Sequence, residues 1–137
     1  MADTFQLEIV TPDRLLVNEP VEEVQIPGKS GYLDALPLHA PLITELGPGE
    51  LTYKHGGTVS HLAVSWGFAE VLPDKVTVIA QTAEKPEEID VQRAQAAKTR
   101  AEQALQNPKP DIDYDETQAA LRRAEVRLQV AGEKGQK

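Results

Sequence analysis

The sequence predicts an N-terminal antiparallel β-sandwich of eight to ten short strands, followed by a C-terminal antiparallel two-helix hairpin. Up to about Thr82, short apolar segments are separated by turns rich in proline and glycine, as in a domain built from strands. From Glu87 onward, apolar residues recur every three or four positions, which is the helical period. Arginine and alanine become more frequent after Glu84, and we therefore expect two domains, residues 1–84 and 85–137.

The strands are predicted by alternation and by turn residues. Residues 5–9 alternate apolar and polar side chains, as a half-buried strand requires, before a Thr-Pro-Asp break. Farther along, Gly56-Gly57 is a two-residue hairpin signal, because glycine tolerates the positive φ of a primed turn. In that register Leu51 faces Leu62, and both should point into the core.

The first helix is predicted from the spacing of its apolar residues. It begins near Glu87 and ends near Gln106, because the Asn-Pro-Lys-Pro segment at 107–110 removes amide donors and restricts φ. One face should carry the predicted apolar stripe: Val91, Ala94, Ala97, Ala101, Ala104 and Leu105.

A second helix follows this short connection. Asp111, Asp113 or Asp115 is expected to cap its N-terminus, and Gly132 is expected to end it. A short proline-containing connection between two amphipathic helices implies an antiparallel hairpin. The matching stripe on this helix is Ala120, Leu121, Ala124, Leu128 and Ala131.

The alanine-rich stripes suggest that the hairpin docks weakly. A single methyl group contributes about 0.8 kcal/mol or less when it is buried. Elements that switch position come from the low-stability end of a structure, so the hairpin is a candidate moving part. A plain surface hairpin explains the same pattern, and the residues leave both interpretations open.

Charge and composition exclude several classes of protein. The formal net charge is −8, and all of this excess lies in residues 1–84, so we expect no nucleic-acid partner. The chain has no cysteine, which excludes a disulfide scaffold and a thiolate metal site. Without an apolar run of about 20 residues or a signal peptide, we expect neither an integral membrane protein nor a secreted one.

No pattern in the sequence predicts catalysis. Phosphate-loop, nucleophile-elbow and zinc-helix motifs do not occur. The three histidines, His39, His55 and His61, lack the spacing of metal ligands, and pairing of His61 opposite Thr52 in a β-hairpin is the plainer account. We therefore expect no catalytic residues and no metal site.

Five segments together resemble one protein family. They are L-E-I-V-T-P at residues 7–12, P-G-x-x-G at 27–31, L-P-x-H-A-P-L-I-T at 36–44, G-F-A-E-V at 67–71 and the segment 90–105. In this order they resemble the epsilon subunit of F-type ATP synthases, over nearly the whole chain. The family fold, a β-sandwich followed by a two-helix hairpin, agrees with the division reached from the residues.

The resemblance implies a non-catalytic subunit of the central stalk, or rotor. Its sandwich would bind the gamma subunit and the c-ring, while its hairpin would act on the alpha and beta subunits of the catalytic head. The complex would place it at the cell inner membrane of a bacterium, peripheral and on the cytoplasmic side. In some bacterial members of the family, the hairpin folds down when ATP is bound and inhibits ATP hydrolysis when it is extended toward the head. The resemblance therefore implies that ATP would be a regulatory ligand rather than a required cofactor.

The resemblance also implies a nucleotide site. The family motif I/L-D-x-x-R-A matches residues 89–94, which include Asp90, Arg93 and Ala94. Glu84 matches an acidic partner upstream and Arg100 a further arginine on the first helix; Arg123 and Arg127 offer a similar pair on the second helix. Forked guanidinium donors suit triphosphate oxygens.

Two alternatives to the ATP sensor remain. Asp90 and Arg93 could form an ordinary surface pair, and the hairpin could be a structural clamp that does not sense ATP. An unrelated sandwich hydrolase or lectin-like module is disfavoured, because no acid/base pair or nucleophile constellation emerges.

A possible interface comprises four residues. Gly31 and Tyr32 begin a turn-rich segment in which two prolines stiffen the chain around His39, which suits either a presented contact surface or a buried corner. Trp66 stands where the family usually has the first glycine of Gly-Gly-Phe, so its ring either fills a core gap or covers an interface.

Overall fold

The computed structural model describes residues 3–132, which form eight β-strands and two α-helices. This confirms the predicted sandwich and hairpin. The strands are β1 (Phe5–Val10), β2 (Leu15–Val21), β3 (Glu23–Gly28), β4 (Gly31–Ala35), β5 (Leu42–Glu45), β6 (Gly49–His55), β7 (Thr58–Val71) and β8 (Lys75–Glu84). The helices are α1 (Val91–Gln106) and α2 (Tyr114–Ala131), and a single 3-10 turn (Pro86–Glu88) precedes α1.

The strands hydrogen-bond in the order β2-β1-β8-β7-β6-β3-β4. Strand β5 lies outside this order and pairs with the last four residues of β7. The two ends of this sheet pack against each other, because residues from both ends share one core, including Ile9 of β1, Ile26 of β3 and Leu51 of β6. All pairs are antiparallel except β1 with β8, which is parallel. The prediction of a wholly antiparallel sandwich is wrong in this one pair, since a parallel pair between sequence-distant strands leaves no local turn signal.

The hairpin between β6 and β7 has the predicted register. Leu51 lies opposite Leu62 and Thr52 opposite His61. The φ angles of Gly56 and Gly57, 58° and 83°, are those that a primed two-residue turn needs. Because the turn fixes the register, both leucines are fully buried.

Strand β7 changes face near its middle. Leu62 and Val64 point into the core before this point, and Ala69 and Val71 do so after it, so the alternation slips by one residue. The cause lies at Trp66 and Gly67, whose φ angles of 56° and 117° both fall in the left-handed region. This switch gives the two halves of β7 different outer surfaces.

The helix ends follow the capping residues. Asp90 precedes α1 and accepts a hydrogen bond from the Arg93 amide, so α1 begins at Val91 rather than at the predicted Glu87. Asp113, one of the three predicted aspartates, caps α2 through the Glu116 amide, and α2 ends immediately before Gly132 as predicted.

The hairpin docks through more than alanine. Ala94, Ala101 and Ala124 are buried, as the predicted stripes require. However, Val91 is 50% exposed, because it is the first residue of α1 and lies at the helix end, so its assignment to the stripe is wrong.

A second apolar contact joins α2 to the sandwich. Val126 and Val130, which the predicted stripe omitted, pack with Ala63 of β7 and with Ile89. Because α2 contacts both α1 and the sheet, it needs two apolar faces, and a single helical stripe describes only one of them. On its polar side Gln129 donates to the Glu50 carboxylate over 2.7 Å.

Candidate functional site

A groove lies where the hairpin meets the end of the sandwich. It has a volume of about 340 Å³, and we call it the hairpin groove. Strand β8 contributes its last residue, the 3-10 turn one residue, α1 most of the wall and α2 one arginine. The lining residues are Glu84, Glu88, Asp90, Arg93, Ala94, Ala97, Arg100 and Arg127.

The groove brings together six of the seven residues predicted to bind nucleotide. The seventh, Arg123, lines an adjoining groove of about 330 Å³ between the two helices, which Arg100 and Arg127 also line. Small side chains such as Ala97 and Ala120 leave this space open. The two grooves therefore adjoin at Arg100 and Arg127.

Each carboxylate of the hairpin groove accepts at least one hydrogen bond. Glu84 Oε1 accepts a 2.6 Å hydrogen bond from Arg127 Nε, which ties the sandwich to α2. Asp90 Oδ1 accepts the Arg93 backbone amide at 3.1 Å. Asp90 thus serves as the N-cap of α1, and among the described residues no ion pair joins its side chain to that of Arg93.

Glu88, the third carboxylate, pairs with an arginine outside the groove. It accepts hydrogen bonds of 2.7 and 2.9 Å from the two terminal nitrogens of Arg14. The Arg14 hydrogen bonds lower the pKa of Glu88, and the Lys85 backbone amide lowers it further.

Two arginines of the groove, Arg93 and Arg100, have side chains that are not bonded to a carboxylate of any described residue. Within residues 3–132, Arg93 and Arg100 form no side-chain hydrogen bond or ion pair, and both are exposed. Arg123 instead pairs with Glu116 at 2.8 Å. The groove therefore offers two unpaired guanidinium groups beside carboxylates that each accept a hydrogen bond from another group, and forked guanidinium donors suit an anionic ligand.

Sequence reasoning missed two residues near the groove. Glu88 lines it, and Ala97 provides room in its wall. Glu88 Oε1 accepts the Lys85 backbone amide at 2.8 Å, but a lysine side chain has no acceptor for the reciprocal bond of a capping box, so the sequence carried no capping signal for Glu88. Nothing in the sequence pairs Glu88 with Arg14, which is 74 residues away.

A second candidate surface is an apolar row on the outer face of the sandwich. Leu15, Val10, Ile79 and Phe68 lie opposite one another across β2, β1, β8 and β7. Directly paired residues share a face of the sheet, so the four side chains form one row. Three of them, Leu15, Ile79 and Phe68, are more than half exposed. Such a row is typical of a surface that another protein covers.

The four predicted interface residues lie on separate elements. Gly31 and Tyr32 begin β4, and the Tyr32 hydroxyl accepts the Glu50 amide at 3.2 Å. His39 follows in the next loop, where its Nδ1 lies 2.6 Å from the carbonyl of Ala40. Trp66 is half-buried at the face switch of β7. Their role in an interface stays a prediction.

No helix among residues 3–132 has the length and apolar character that crossing a bilayer requires.

Comparison with known proteins places the chain in a family. Residues 4–86 match the model of the beta-sandwich domain of the ATP synthase delta/epsilon chain, and residues 87–132 match its long alpha-helix domain. The ATP synthase epsilon chain of Koribacter versatilis is 64% identical over 111 residues, which are 81% of this chain and 78% of that one. The epsilon chain of Solibacter usitatus is 52% identical over 98% of this chain and all of its own.

Solved structures agree. A chain of the Euglena gracilis mitochondrial ATP synthase, solved as OSCP/F1/c-ring, matches with a TM-score of 0.81 at 27% identity. The match covers 96% of this chain and 82% of that one. A chain from the central stalk and c-ring of the Tetrahymena thermophila enzyme shares the fold, with a TM-score of 0.57 at 12% identity.

The protein therefore belongs to the delta/epsilon family of ATP synthase subunits. Within that family it is an epsilon subunit of the F-type enzyme, a non-catalytic part of the central stalk. The resemblance found in the sequence is confirmed.

Proposed function

We propose that this epsilon subunit senses ATP through its C-terminal hairpin. ATP would bind in the hairpin groove and hold the hairpin against the sandwich; without ATP, the hairpin would extend toward the catalytic head and inhibit ATP hydrolysis. The observation that carries the proposal is the pair of unpaired arginines, Arg93 and Arg100, in a groove whose carboxylates already have partners.

The layout of the groove explains how a ligand would favour the docked hairpin. Its walls come from the sandwich through Glu84, from α1 through Arg93 and Arg100, and from α2 through Arg127. A triphosphate held by arginines of both helices would bind only when these elements are together. A ligand with such a preference shifts the population toward the docked state.

Titration of the purified chain with ATP tests this proposal. We expect saturable binding in calorimetry and a roughly tenfold or greater loss of affinity in Arg93→Ala, because a hydrogen bond to a charged group contributes about 1.5–3 kcal/mol. Arg122→Ala is the matched control: Arg122 is an exposed arginine on α2 that lines neither groove, and its removal should leave the affinity unchanged. Absence of saturable binding at millimolar ATP would remove the sensor.

A structural clamp is the second candidate function. The cluster of Val126, Val130, Ile89 and Ala63 holds α2 on the sandwich without any ligand, which favours this alternative. The same titration separates the two, since a clamp predicts that the hairpin stays docked whether or not ATP is present.

We further propose that the sandwich binds the gamma subunit and the c-ring, and that the hairpin acts on the alpha and beta subunits. The exposed apolar row supports a protein partner on the sandwich, because apolar side chains of this size are rarely left together in solvent. Through these partners the chain would lie at the cytoplasmic side of the cell inner membrane as a peripheral subunit.

Substitution within the apolar row tests the gamma contact. Phe68→Asp places a charge in the row and is expected to weaken co-purification with the gamma subunit at least tenfold, because an interface cannot solvate a carboxylate. Val59→Asp makes a similar change at an exposed residue near the other end of β7 and should have little effect. Equal retention of gamma by both folded variants would exclude the row from this interface.

A further inference from the structure

One ion pair joins the β1–β2 turn of the sandwich to the 3-10 turn Pro86–Glu88, which connects the sandwich to the hairpin and which we call the hinge. The guanidinium of Arg14, in the turn between β1 and β2, binds the Glu88 carboxylate through two hydrogen bonds of 2.7 and 2.9 Å. Glu88 is the last residue of the 3-10 turn that leads from β8 to α1. Two parallel hydrogen bonds fix the orientation of both groups as well as their separation.

Both partners are held in place by their own segments. The Thr11 amide donates to the Arg14 carbonyl at 2.9 Å, and the Asp13 amide donates to the Thr11 hydroxyl at 3.3 Å, so the turn that carries Arg14 is closed by local bonds. Glu88 Oε1 also accepts the Lys85 amide at 2.8 Å. The pair therefore connects two ordered segments rather than two mobile side chains, which reduces the entropy lost in forming it.

The neighbours of Glu88 link this pair to the docked hairpin. The next residue, Ile89, is buried against Val126 and Val130 of α2, and the residue after it, Asp90, caps α1. A displacement of Glu88 would therefore shift both the apolar contact and the start of the first helix.

We propose that Arg14 and Glu88 form a latch that favours the docked hairpin by fixing its hinge to the β1–β2 turn. Arg14 acts here as a positioning residue: it does not line the hairpin groove, and it acts through Glu88. The latch concerns regulation of the same hairpin and so rests on the proposed movement, but its effect on hinge opening does not require ATP.

Hydrogen exchange of the α1 and α2 amides in the full chain, without ATP, measures this latch. We expect Arg14→Gln and Glu88→Gln each to raise exchange about two- to fivefold, which is the range for exposed ion pairs. The double variant should exchange no faster than either single variant, because both remove the same interaction. Lys29→Gln, which removes the Lys29–Glu45 surface pair within the sandwich, is the matched control and should change nothing.

Unchanged exchange in Arg14→Gln, or effects of the two single substitutions that add in the double variant, would overturn the latch. Adding ATP separates it from the proposed sensor. Saturating ATP should slow exchange in the parent chain and also in the double variant, because the groove arginines are intact in both and neither leaves an unpaired Glu88 carboxylate in the groove. Faster exchange in Arg14→Gln, together with no protection of the parent chain by ATP, would support the latch and overturn the sensor.

Discussion

Replacing Gly67 with alanine is expected to unfold the sandwich or to leave it barely stable. A Cβ atom at this position would collide with the carbonyl oxygen of Ile79 on the neighbouring strand β8, and this oxygen belongs to the backbone, so it cannot rotate away. The φ angle of 117° also lies in a region that residues with side chains rarely adopt. The combined cost should exceed about 3 kcal/mol, a large share of the 5–15 kcal/mol typical of a domain.

Urea unfolding of the full chain measures this loss, with Gly57→Ala as the matched control. Gly57 has a φ of 83°, but no atom beyond Gly57 and its two chain neighbours lies within 4 Å of a Cβ built there. Its substitution should cost only the backbone strain, about 1–2 kcal/mol. Equal unfolding midpoints for the two variants would show that the collision at Gly67 is relieved by a small shift of β8.

The local parts of the sandwich were predictable and its long-range part was not. A two-glycine turn fixes the pairing of its strands, so the pairing of Leu51 with Leu62 followed from the sequence. The face switch of β7 did not, because it depends on Trp66 in a left-handed conformation that its residue type disfavours.

The candidate nucleotide site was predictable as a set of residues but not as a set of contacts. The family motif and the helical spacing selected Asp90, Arg93 and Arg100, and the groove brings these residues together. The bond from Asp90 to a backbone amide, and the bond from Arg127 to Glu84, depend on tertiary packing and capping geometry. The pairing of Arg14 with Glu88 could not be predicted, because no local pattern links two residues that are 74 positions apart.

The neutral hairpin and the acidic sandwich, which the sequence distinguished by charge, interact through polar and apolar contacts of different strength. The exposed or half-exposed ion pairs at Glu84 and Glu88 are screened by solvent and salt. Salt does not screen the apolar contact of the buried valines on α2, and burying each of these side chains contributes about 1.5–3 kcal/mol to the free energy of docking. Docking should therefore depend mainly on this apolar contact, while the ion pairs adjust the balance.

Val130→Asp is accordingly expected to release the hairpin from the sandwich. Val130 is fully buried among Ala63, Ile89 and Val126, and a carboxylate at this position would lose its contact with water. Leaving an uncompensated carboxylate buried costs about 3–5 kcal/mol, so the protein is expected to undock α2 from the sheet instead of burying the charge. Hydrogen exchange should increase at least a hundredfold throughout α1 and α2 while the core of β1, β7 and β8 stays protected. Val91→Asp, the same substitution at a half-exposed residue of α1, should leave exchange nearly unchanged, and protected helices in Val130→Asp would contradict the assigned role of the valine contact.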